Sequence, residues 1–142
     1  MYPHENTLTV VEMDGSEIQQ YLEYSHSLAI DKPDAPAYHF DSASGICYRV
    51  HRHRPYGQRV EIMGMSNGEE VYSGKSYRVA MTTFRALGGG GHLKNALGWT
   101  PQKMHVRTIA TTTKGIRSLM VEYYQNTSID TASFHQWEVV DD

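Results

Sequence analysis

Phe84-Arg85-Ala86-Leu87 runs straight into four consecutive glycines, Gly88 to Gly91, and this segment has the residue types of a ligand loop. A glycine run after a strand first suggests a phosphate cradle. No Lys-Ser or Lys-Thr pair follows it, however, and the G-x-G-x-x-G spacing is missing. Gly98 and Pro101 also leave little room for a long helix whose N-terminus could face an anion. What the glycines do offer is a backbone without Cβ atoms, open to positive φ and to the close approach of a flat ligand. A plain surface turn has the same composition.

Other chemistries find less support. His51 and His53 alternate in a strand pattern and would face one way, as two metal ligands do. No third acid or histidine stands near them, and Arg49, Arg52 and Arg54 would repel a cation, so no metal site is expected. Asp41-Ser42-Ala43-Ser44-Gly45 sets a serine near an acid without the G-x-S-x-G elbow of a nucleophile. Cys47, the single cysteine, lies in a strand and excludes an internal disulfide. The acids are scattered, with no group suited to a two-metal centre. No catalytic residue is assigned: the residues describe a binding surface without an engine.

The elements that must position these residues read as a mixture. Leu8 to Met13 forms a short strand, Asp14-Gly15 a turn, and Ser16 caps a helix from about Ser16 to Ala29. Pro33 and Pro36 mark a loop. Ile46 to His51 and Arg59 to Met63 form a hairpin across Pro55-Tyr56-Gly57. Asn67-Gly68 makes a turn before a short strand near Val71-Tyr72. Tyr77 to Thr83 is the clearest strand, Val106 to Ala110 another, Thr113 to Tyr124 a second main helix, and Phe134 to Val140 a final strand. Helices interleave irregularly with hairpins, which predicts an α+β domain with a mixed β-sheet, hairpins and two main helices.

The bulk numbers agree with one domain spanning residues 1–142. With 39% hydrophobic and 20% charged residues, the chain is neither a disordered tail nor a membrane span, and no apolar run approaches the ~20 residues a bilayer requires. A net charge of −3 supplies no basic field, so a nucleic acid polymer is not an expected partner. The first residues show no signal peptide, and Tyr2-Pro3-His4-Glu5-Asn6 enters the first strand so abruptly that the chain reads as part of a longer protein.

Three blocks, taken in order, carry a family resemblance: Tyr2-Pro3-His4-Glu5-Asn6-Thr7-Leu8 with Gly15 and Tyr21-Leu22-Glu23, then Phe40-Asp41-Ser42-Ala43-Ser44-Gly45-Ile46-Cys47-Tyr48, then Tyr77-Arg78-Val79-Ala80 through Gly91. Together they resemble the C-terminal domain of the 5′-nucleotidase family, which includes UDP-sugar hydrolases and 2′,3′-cyclic-nucleotide 2′-phosphodiesterases. The resemblance implies a substrate-binding domain that is itself non-catalytic. Its parent would be a secreted, periplasmic or extracellular phosphoric ester hydrolase of nucleotide catabolism, with two divalent metal ions in an N-terminal metallophosphoesterase domain. It implies a nucleoside base held between two rings: Phe84 matches one, and His4 stands where the other is usually Phe or Tyr. Asn6 matches a base-contacting residue. Gly88, Gly89 and Gly90 form the loop, and Gly90 falls where many 5′-nucleotidases place an Asp on the ribose. Glycine-rich loops look more like the cyclic phosphodiesterase branch. The chain alone implies no cofactor; a stand-alone nucleotide-binding or purely structural module is the rival reading.

Overall fold

The computed structural model describes residues 6–126 and 136–141. β1 (Thr7–Asp14) leads directly into α1 (Gly15–Asp31), and the junction is set by a capping box. Asp14 accepts from the Glu17 amide at 2.8 Å, while the Glu17 carboxylate accepts from the Asp14 amide at 3.0 Å. The cap is therefore Asp14, not Ser16, because Glu three residues on closes the reciprocal pair only from that position. Ser16 instead donates to Asp14, and these hydrogen bonds hold the Asp14 carboxyl below its ordinary range.

β2 (Ile46–His51) and β3 (Val60–Met65) form the expected hairpin, and β4 (Ser76–Thr82) follows. Then come the short helices α2 (Thr83–Ala86), α3 (His92–Leu97) and α4 (Pro101–Arg107). β5 (Thr108–Gly115), α5 (Ile116–Asn126) and β6 (Trp137–Val140) complete the described chain. The α+β expectation holds, with the strands divided between two three-stranded sheets, β4-β1-β5 and β3-β2-β6. The first is antiparallel throughout; in the second, β6 lies parallel to β2.

Three sequence expectations fail locally. Val71-Tyr72 forms no strand: the Tyr72 amide bonds the Tyr77 hydroxyl and its carbonyl accepts from Lys75, so its backbone is used in a turn. Val106 belongs to α4, where Pro101 starts a helix behind the Thr100 cap, and β5 begins only at Thr108. The second main helix likewise starts later than expected, because Thr113 to Gly115 still belong to β5.

α1 is the central support, with Ile18 reaching both cores. One core joins Val11, Met13 and Tyr21 with Ala86, Leu93, Trp99 and Met104, beneath α2 and α3. The other joins Leu22 with Ile46, Tyr48, Val50 and Val60. Glu23 ties α1 to the hairpin by accepting from the amides of Gly57 (2.8 Å), Arg59 (3.1 Å) and Val60 (2.8 Å).

Candidate functional site

The start of β1 meets the end of β4 and the first residue of α2. Leu8 pairs with Thr82 as the last pair of the β1–β4 ladder, and the chain then turns into α2, which carries Phe84. Hydroxyl contacts fix that junction: Thr83 Oγ1 lies 2.5 Å from Thr7 Oγ1 and 2.8 Å from Thr9 Oγ1, and Thr9 Oγ1 lies 3.1 Å from Thr111 Oγ1. The Asn6 carbonyl accepts from the Ile116 amide at 2.7 Å, which adds the start of α5 to the same edge. His4 lies outside the described residues.

Thr82 caps α2 by accepting from the Arg85 amide. This one-turn helix points its residues opposite ways. Ala86 is buried in the core, whereas the Phe84 ring stays 55% exposed. Phe84 rests on Gly89, where an added Cβ would come within 2.5 Å of the ring. At Gly90, φ is +78° and a Cβ would stand 2.1 Å from Arg85 Nη1. The glycines thus allow close approach, as expected, but the groups that approach first are the protein's own ring and guanidinium. No side chain fits at position 90 while Arg85 keeps its place.

Arg85 is the residue that sequence reasoning missed. Only 8% exposed, it grips Asp41 with two bonds, Nε to Oδ2 at 2.9 Å and Nη2 to Oδ1 at 3.2 Å. The same guanidinium donates to the carbonyls of Tyr38 and of Gly89, the latter at 3.3 Å. Asp41 also accepts from the Tyr21 hydroxyl at 2.6 Å, and its backbone bonds Ser25 in both directions. Burial and that carboxylate push the Tyr21 hydroxyl far above its ordinary pKa. The signal for Arg85 in the sequence was its type alone: a charged residue between an aromatic and a core alanine, with a partner 44 positions away.

His92 closes the floor. It is fully buried, and its Nε2 lies 2.7 Å from the His39 carbonyl, which can only accept. The donor to that carbonyl is therefore Nε2–H, and burial lowers the pKa of the ring. Its Nδ1, near the position of a Gly90 Cβ, finds no hydrogen-bond partner among the described residues.

The other sequence candidates separate. β2 ends at His51, which is buried, while His53 lies beyond it and is exposed, near Asp141. Among the described residues, no three His, Cys, Asp or Glu side chains gather to hold a metal ion, and no helix is long and apolar enough to cross a membrane. Asp41, set aside as a nucleophile's neighbour, is instead the acid of the buried pair.

With this geometry in place, the comparisons with known proteins decide the family. Residues 1–97 match the 5′-nucleotidase, C-terminal domain. The chain belongs to that family. It is 25% identical over 114 residues to the trifunctional nucleotide phosphoesterase protein YfkN of Bacillus subtilis (strain 168), covering 64% of this chain and 8% of that protein. Its fold is shared by a Staphylococcus aureus protein described as a 5′-nucleotidase and crystallised with alpha-ketoglutarate. There the TM-score is 0.74 at 21% identity, over 97% of this chain and 28% of the other. A 5′-nucleotidase precursor from Thermus thermophilus superimposes with a TM-score of 0.54 at 21% identity, over 97% of this chain and 26% of the other. The 5′-nucleotidase C-terminal domain described here therefore spans under a third of each of these proteins.

Proposed function

We propose that this domain recognises the nucleoside part of a nucleotide for a phosphoesterase whose catalytic metals sit on another domain of the same parent. The observation that carries the reading is Phe84: a phenylalanine in the one-turn helix just after β4, more than half exposed and seated on a glycine. A base stacked on such a ring gains roughly 1–3 kcal/mol with little dependence on base identity. Asn6 supplies hydrogen-bonding capacity at the same edge.

The domain itself performs no hydrolysis in this reading. It holds the base and so places the phosphate ester for in-line attack on the partner domain, where two divalent ions act on the phosphate. His4 would provide the opposing ring. Gly90 offers no carboxylate to a ribose, and Arg85 occupies the space for one, which favours the cyclic phosphodiesterase branch over ribose-clamping nucleotidases. The nucleotide phosphoesterase name of YfkN supports the substrate class, and the precursor form of the Thermus protein supports an exported parent acting in nucleotide catabolism.

Amide NMR titration with adenosine and AMP tests this. The expected result is weak, saturable binding, on the order of millimolar to high micromolar, that disappears in Phe84→Ala. Equal binding by wild type and variant, or none by wild type at millimolar ligand, refutes the reading.

A further inference from the structure

A second ring stands bare beside the same loop. Tyr38, in the 3₁₀ turn Ala37–His39, is 72% exposed, more so than Phe84. The backbone beneath it is held from several sides. The Tyr38 carbonyl accepts from Arg85 Nη2, the His39 carbonyl pairs with buried His92, and the Phe40 amide bonds back to Ala37 at 3.1 Å. Two residues further on, Asp41 forms the ion pair with Arg85.

One guanidinium therefore grips both loops. Nη2 holds the backbone of Tyr38, and Nη1 holds the carbonyl of Gly89, on which the Phe84 ring rests. Leaving large apolar groups this bare on backbone this well anchored is the arrangement of a surface that waits for a ligand.

We propose that Tyr38 is a further ring of the nucleoside site, in addition to Phe84 and His4, on a loop that Arg85 ties to the Phe84 loop as a positioning residue. The assignment rests on the nucleoside reading above. Tyr38 adds a flat face and, unlike Phe84, a hydroxyl able to donate to or accept from a base edge or a sugar. Arg85 is mostly buried and acts through the two loops, without touching the ligand.

Adenosine titrations of wild type, Phe84→Ala, Tyr38→Ala and Tyr38→Phe decide the matter. Tyr38→Ala weakens binding about tenfold, while Tyr38→Phe, which keeps the ring, stays within about threefold of wild type. Ring protons of Tyr38 show intermolecular NOEs to adenosine in the unaltered chain, a readout independent of how any variant folds. If Phe84→Ala abolishes binding while Tyr38→Ala binds as wild type and the NOEs are absent, Tyr38 is excluded and the nucleoside reading stands. Equal losses in both Tyr38 variants exclude the ring contact. A wild-type chain that does not bind adenosine overturns both proposals together.

Discussion

At the scale of single residues, Gly90 and Arg85 constrain each other. Position 90 has φ of +78°, where an L side chain costs roughly 1–2 kcal/mol through its own Cβ. Its Cβ would also displace the guanidinium that holds Asp41, Tyr38 and Gly89. Gly45 isolates the first effect, because φ there is +93° and none of the described residues lies within 4 Å of an added Cβ. We therefore expect Gly45→Ala to cost about 1 kcal/mol and Gly90→Ala clearly more, about 3 kcal/mol, once disruption of a buried pair is added. Urea denaturation of both variants measures the difference, and equal losses would remove Arg85 from the account. The glycine run was plain in the sequence, and so was its fitness for close approach. Nothing in the sequence said that an arginine five residues earlier would fill the space, since the pairing with Asp41 exists only once the loop after α1 folds over α2.

At the scale of elements, the legible parts were those with local causes. β1, α1, the β2–β3 hairpin and β4 follow from apolar periodicity and turn residues, and each lies within a residue or two of its expected bounds. The failures were set by partners distant in sequence or by competing caps. Val106 satisfies a strand pattern, yet Thr100-Pro101 starts a helix that carries it away. α1 also owes its position to a device invisible in periodicity. Glu23 is 3% exposed and receives three backbone amides from the Gly57–Val60 stretch, where the hairpin returns. Replacing it with Gln keeps the volume but turns an NH₂ toward at least one N–H, leaving a buried donor unsatisfied. Glu23→Gln should cost about 1–3 kcal/mol, with accelerated amide exchange concentrated at Gly57, Arg59 and Val60. Exchange that rises uniformly over both sheets would show that Glu23 supports the fold in general and not this junction.

At the scale of the whole molecule, the two sheets meet through α1, and the second is closed by an aromatic cluster around His26. That ring is 3% exposed, bonded at 2.9 Å to the Tyr48 hydroxyl, and surrounded by Phe40, Tyr48 and Trp137 at centroid distances of 5.0, 5.4 and 4.9 Å. Trp137 comes from β6, so the cluster joins the end of the described chain to α1 and β2. Burial lowers the His26 pKa from 6.5 to about 4. Between those two values the unfolded chain binds a proton that the folded chain refuses. Stability is therefore fully present above about pH 6.5 and falls as the pH drops toward 4, by about 3 kcal/mol over the whole window. His92, also lowered by burial, acts in the same direction. The depressed carboxyls of Asp14 and Asp31 lose their contribution only below their ordinary value of 3.8, beneath the histidine window. Urea denaturation at pH 7 and at pH 4.5 should thus show a loss of about 2–3 kcal/mol in the wild-type chain and a much smaller one in His26→Gln. The variant is less stable than wild type at pH 7, since it gives up packing against three rings, but its slope with pH is the discriminating quantity. An unchanged slope would assign the acid sensitivity to other groups and leave His26 as packing alone. The same dependence bears on the binding surface, because Phe40 touches His26 on one side and is followed directly by Asp41, the anchor of Arg85. Protonating His26 in the folded chain, which begins only as the pH approaches 4, loosens the segment that carries Tyr38, so the affinity of the folded chain should hold from pH 7 down through most of the stability window and decline only near its lower end.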